Sequence, residues 1–252
     1  YFAMGLPFVV LNMVTVLMFK GLEVDDKLIT FWTSLILLPW TLKPLWSPFL
    51  ELFRTKKFFV IVTQLITGIT FGLVAFALNL SHFFSISIAL LAIVAFSGAT
   101  HDIACDGVYM SELSNEDQAR FIGWQGAFYN IAKILATGGL VYLAGYFIEL
   151  NADAGLLTAN KRAWMIILLI LSVTMILLGI YHLFALPSTQ SASSRKTLRS
   201  NKEVMKELGQ VLMDFFRKTH ITYYICFIIL YRFAEGFVMK IVPLFLKACT
   251  LF

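Results

Sequence analysis

The stretch Gly98-Ala99-Thr100-His101-Asp102-Ile103-Ala104-Cys105-Asp106-Gly107 puts two carboxylates inside a run that otherwise reads as a membrane-spanning helix. A mid-helix aspartate costs roughly 2.5–3.5 kcal/mol to insert, whereas each Leu, Ile, Phe or Val returns only about 0.3–0.6 kcal/mol. The run beginning at Phe83 offsets the pair only if both acids face protein or water and not lipid. On a helix the two stand one turn plus about 40° apart, so Asp102 and Asp106 share a face that Gly98 and Tyr109 extend. That face is small and polar. It predicts the wall of an internal cavity whose other walls come from elsewhere in the chain.

With 59% hydrophobic and 14% charged residues and a mean hydropathy of +0.81, the chain is too apolar for an ordinary soluble domain. Its apolar runs are long enough for helices across a hydrocarbon core of roughly 30 Å, and no alternating ten-residue pattern suggests a barrel. The predicted class is all-α, a polytopic membrane protein. Cys105, Cys226 and Cys249 lie in apolar runs, are odd in number and lack metal-type spacing. They read as small apolar fillers and not as a disulfide framework.

Seven segments are expected, at about 2–19, 28–49, 58–80, 83–113, 119–150, 163–186 and 221–252. The first has no charged region before it and no small-residue cleavage site after it, so it is not read as a signal peptide. The second contains Pro39, Pro44 and Pro48, which should bend it and free backbone carbonyls. Ser114-Asn115-Glu116-Asp117-Gln118 begins a helix-capping pattern ahead of segment five. Residues 188–218 turn to Ser, Arg, Lys and Glu, the one linker-like stretch, and Val204, Leu208, Val211, Leu212 and Phe215 there predict a surface amphipathic helix. The organisation is therefore a six-helix bundle over 1–186, a basic linker over 187–220 and the first helix of a second bundle over 221–252.

Charge sets orientation. Eleven of the 20 Lys and Arg residues follow segments two, four and six, among them Arg54, Arg120 and Arg195, while Lys20, Lys27, Lys161 and Arg162 follow segments one, three and five. The positive-inside rule places the N-terminus and the linker in the cytoplasm. A net charge of +5 is thus a statement about topology and not about nucleic acid, which is not an expected partner.

Six helices, a basic linker and a seventh helix resemble the first half of a major facilitator superfamily transporter. Leu38-Pro39-Trp40-Thr41-Leu42-Lys43-Pro44-Leu45-Trp46-Ser47-Pro48 is similar to the "LPYxxKxxWAP" signature of the AmpG-type muropeptide permeases. His101-Asp102-Ile103-Ala104-Cys105-Asp106-Gly107 is similar to their "QDIAxDA", and Tyr1-Phe2-Ala3-Met4-Gly5-Leu6-Pro7 to their "GLP" opening. The related acetyl-CoA transporters share parts of the pattern, and the likeness fades after Gly155. It implies twelve helices, of which seven are predicted here, and a multi-pass protein of the cell's inner membrane, monomeric at full length, without a cofactor or metal. Ser47-Pro48-Phe49-Leu50-Glu51-Leu52 stands where the superfamily has Gly-x-x-x-Asp-Arg; Glu51 keeps the acidic role, and the paired arginine is missing.

The candidates for proton coupling or gating are Asp102, Asp106, Lys43, His101 and Glu51. For either aspartate the alternative is a structural pair with Lys43, with Asp106 taken as the nearer to the cytoplasm. Gln125, Tyr129 and Lys133 recur every four residues and form one stripe, as cavity lining or, for Lys133, as a side chain reaching for the interface. Arg232 and Glu235 form either an internal salt bridge or a solute clamp. Asn12, Thr15 and Tyr109 complete the expected cavity, although bonding between helices accounts for Asn12 and Thr15 equally well. His82, His182 and His220 sit at segment ends and read as interfacial. The favoured function is a proton symporter importing an anionic solute, with sugar or muropeptide coming from the resemblance alone. An acetyl-CoA-type organic-anion carrier is the alternative. An intramembrane prenyltransferase needs a second aspartate cluster, and a channel needs a filter-like repeat; neither is found in the sequence.

Overall fold

The computed structural model describes residues 1–47, 50, 55–187, 210, 213, 217–224, 226–227 and 230–231. Glu51, Arg232 and Glu235, most of the linker and the end of segment seven lie outside the described residues. The chain divides into two compact units, Tyr1–Lys196 and Thr197–Phe252. In the second, the described residues between 221 and 231 are helical.

The first unit contains α1 (Phe2–Gly21), α2 (Asp26–Ile36), α3 (Leu38–Leu42), α4 (Lys56–Ala77), α5 (Phe83–Glu112), α6 (Asn115–Leu150) and α7 (Leu156–Ala185). Among the described residues there is no strand, and α1, α4, α5, α6 and α7 are each long and apolar enough to cross a membrane. The all-helical class therefore stands among the described residues, and five such helices are compatible with a multi-pass membrane protein.

The second expected segment differs. It breaks at Leu37 between α2 and α3, then tightens into a 3-10 turn over Lys43–Leu45. Pro39 lies in the first turn of α3, where a missing N–H costs nothing, and Pro44 lies in the 3-10 turn. In a continuous helix each ring would meet the carbonyl four residues back, so the prolines interrupt the helix where a bend was expected. That interruption turns Trp40 and Lys43 onto α5.

Two boundaries also move. Ser114 caps α6, its Oγ accepting from the Asp117 amide at 3.2 Å and donating to the Asp117 carboxylate at 2.7 Å, so the capping pattern opens the helix at Asn115, ahead of the expected Ala119. α7 starts at Leu156, after Gly155 at φ 83°, which places the expected loop cations Lys161 and Arg162 on the helix. Lys161 stands 5.6 Å from the centre of the Phe83 ring, and Arg162 reaches the Asn151 side-chain oxygen at 3.5 Å.

Helix α4 packs against both α5 and α7, while α1 packs against α5 and α6. Lipid tails are as apolar as leucine, so close backbone approach and interhelical hydrogen bonds must hold such helices together. Thr67 Oγ1 donates to Ser97 Oγ at 3.1 Å, and Ser97 Oγ donates to the Thr63 carbonyl at 2.8 Å, joining α4 to α5. Between α4 and α7 the close approach is at Gly68, where a Cβ would lie 3.0 Å from the Ser172 carbonyl oxygen and 2.7 Å from Ile176 Cγ1. Backbone cannot swing aside, so Gly68→Ala should force the two helices apart at a cost of roughly 1–3 kcal/mol. A thermal unfolding midpoint unchanged from the native chain in detergent would contradict this packing.

Candidate ion-paired site

Asp102 is 4% exposed, and two side chains from the interrupted second segment converge on one of its oxygens. Lys43 Nζ lies 2.8 Å from Oδ2, and Trp40 Nε1 donates to the same oxygen at 2.7 Å. Helix α3 ends and the 3-10 turn begins between these two residues, so one local distortion aims both donors at α5. Gly98 makes the approach possible, because a Cβ there would sit 3.0 Å from the Trp40 ring and 3.8 Å from Pro7. Phe8 braces the indole edge-on at 5.1 Å. A charge-assisted pair inside a membrane-capable helix satisfies the requirement that an intramembrane acid be matched by a partner.

The pairing is incomplete. Asp102 Oδ1 and the neighbouring His101 Nδ1 are both buried with no hydrogen-bond partner among the described residues. His101 itself is 3% exposed, with Cys105 Sγ 4.0 Å from its Nε2. The Lys43 and Trp40 bonds therefore satisfy one oxygen of the acid and leave the other without a donor among the described residues.

Asp106 is different in kind. It is exposed, accepts from the Tyr1 phenol at 3.0 Å, and takes no part in the Lys43 pair, which Asp102 holds. The structural pair with Lys43 that the sequence left open for Asp106 is thus corrected: Asp106 belongs to an aromatic end of the bundle. There Tyr1 meets Tyr109 edge-on at 5.9 Å, and Tyr109 donates to the Gln118 carbonyl at 2.6 Å. Tyr109 therefore ties α5 to the start of α6.

The remaining candidates scatter. Gln125, Tyr129 and Lys133 are half-buried along α6, but the Tyr129 ring lies against Gly5, where a Cβ would be 2.8 Å from Cδ2. Tyr129 thus packs α1 against α6. Asn12 is exposed. Thr15 is 1% exposed and donates to the Leu11 carbonyl at 2.8 Å, so its hydroxyl bonds within its own helix. A cavity of about 350 Å³ lies between α2 and α5, lined by Trp32, Leu35, Ile36, Phe84, Ser85, Ile88, Ala89 and Ala92. It includes none of the candidate residues.

Sequence reasoning missed three participants. Trp40 was visible in its motif but has no charge to attract attention, and Tyr1 stands outside any periodic pattern. His182 was read as interfacial, yet it hydrogen-bonds Gln64 at 2.9 Å, and Gln64 is fully buried. A lone amide within the apolar run of α4 was the available signal. Searches of protein-family models, curated proteins and solved structures gave no match to this chain.

Proposed function

We propose that the chain forms part of a secondary active transporter, a proton symporter that imports an anionic sugar or muropeptide-like solute. The observation that carries this reading is the buried Asp102 carboxylate, held by Lys43 and Trp40 on a helix able to span a membrane. A carboxylate that can exchange a lysine partner for a proton is a coupling device: whatever movement withdraws Lys43 makes Asp102 a proton acceptor, and its return releases the proton. Lys133, half-buried on α6, supplies positive charge for a carboxylated solute. The motif resemblance supports the solute class.

Uptake into vesicles of labelled sugars and muropeptides, with and without an inward-acidic pH gradient, tests the proposal. Accumulation of one of them only under the gradient is expected; no gradient dependence for any of them would sink it. The orientation has its own test. Single cysteines introduced at Ser193 and at Asp153 should be labelled by an impermeant reagent from the cytoplasmic and the external side respectively, and labelling of both from one side would refute the assigned topology.

A further inference from the structure

Two of the long helices share a local irregularity at the place where they touch. Val10–Val14 in α1 and Leu135–Leu140 in α6 are π-helical turns, in which the backbone bonds i to i+5, and the two turns pack against each other. Val10, Leu11, Val14 and Ala136 are buried there. Such wide turns are uncommon and strained relative to the α-helix, and they are recognised sites of helix bending.

The bonding in α1 shows what the wide turn costs and how the cost is met. The Thr15 amide donates to the Val10 carbonyl, one residue further back than in an α-helix, so the Leu11 carbonyl loses its normal donor. Thr15 Oγ1 takes that place at 2.8 Å. In α6, Thr137 Oγ1 likewise donates back to the Lys133 carbonyl at 2.8 Å, and a Cβ at Gly138 would meet nothing within 4 Å. The first turn thus has a threonine at hand for the carbonyl it leaves, whereas the threonine of the second bonds back to Lys133 just before the turn, and the second turn has room for its backbone to move. One residue inserted into an α-helix with both flanks held in place produces a turn of this kind, so the α form lies one register step away.

We infer that these paired turns are one coupled hinge, about which α1 and α6 bend together. When either turn tightens towards the α form, the buried contact over Val10, Leu11, Val14 and Ala136 shifts and the other must follow. The inference concerns the fold and does not depend on the solute or on proton coupling.

Amide hydrogen exchange on the purified chain in detergent tests it. In the native chain, amides of 10–15 and 135–141 should open at rates agreeing within about threefold. Deleting Asn12, an exposed residue within the first turn, should restore the α-helix and slow exchange at least tenfold in both segments. Thr15→Val, which keeps the shape and removes the stand-in donor, should accelerate exchange in both. Should the deletion fail to fold, the native rates and Thr15→Val still decide. Native opening rates differing more than tenfold, or a Thr15→Val effect confined to 10–15, would overturn the coupling.

Discussion

Lys43→Met should be among the most destabilising single substitutions in the chain, and Asp102→Asn placed on top of it should recover most of the loss. The reasoning starts from asymmetry: the Lys43 side chain is 26% exposed while that of Asp102 is 5% exposed. Losing the ammonium therefore strands a charge that water cannot reach, leaving it the Trp40 indole as its one donor among the described residues. Breaking a buried pair from one side costs roughly 3–5 kcal/mol, whereas replacing both members by uncharged groups is often close to neutral. Partial exposure of Lys43 places the expected loss towards the lower end of that range. The amide of Asp102→Asn can still accept from Trp40 through its oxygen, so the double variant keeps the indole in place. Thermal unfolding of the four proteins in one detergent measures the coupling as a double-mutant cycle. Equal destabilisation in Lys43→Met and in the double variant would mean that the two side chains do not depend on each other.

The helical class, and the need of a buried acid on α5 for a partner, were legible because both rest on strong physics. Five long apolar runs have few ways to satisfy their backbone, and two aspartates within one of them demand partners. The path of the second segment was harder to read. Prolines at 39 and 44 signalled distortion, but whether a proline bends a helix or interrupts it depends on what its neighbours offer the freed carbonyls, which periodicity does not encode. That choice decided the site, since the interruption gives Lys43 to Asp102 and leaves Asp106 to Tyr1. The stripe at Gln125, Tyr129 and Lys133 was also correct as geometry, yet a shared face does not say what covers it, and Gly5 allows α1 to cover Tyr129. The π turns were not legible at all. Their residues, Val10-Leu11-Asn12-Met13-Val14 and Leu135-Ala136-Thr137-Gly138-Gly139-Leu140, fit an ordinary helix, and only the register held by the flanking turns widens them.

Asp102→Asn alone should abolish solute accumulation driven by a pH gradient while leaving solute binding and downhill exchange in place. The substitution keeps the volume and the Trp40 hydrogen bond but removes the site at which a proton can replace Lys43. Asp106→Asn, at an exposed position bonded to Tyr1, should leave accumulation largely intact, because water can substitute for what it loses. The contrast separates the two aspartates although they share a helix face. If burial and pairing were there for stability alone, Asp102→Asn would lower the yield of folded protein, and the protein that did fold would still concentrate solute. If Asp102 is the coupling acid, the folded protein would bind and exchange solute at near-native rates and fail only when asked to work against a gradient. Accumulation and exchange measured on the same reconstituted vesicles, normalised to folded protein, distinguish these outcomes. A folded Asp102→Asn protein that still concentrates solute in response to pH would remove Asp102 from the proton path and leave the Lys43 pair as a structural feature of the bundle.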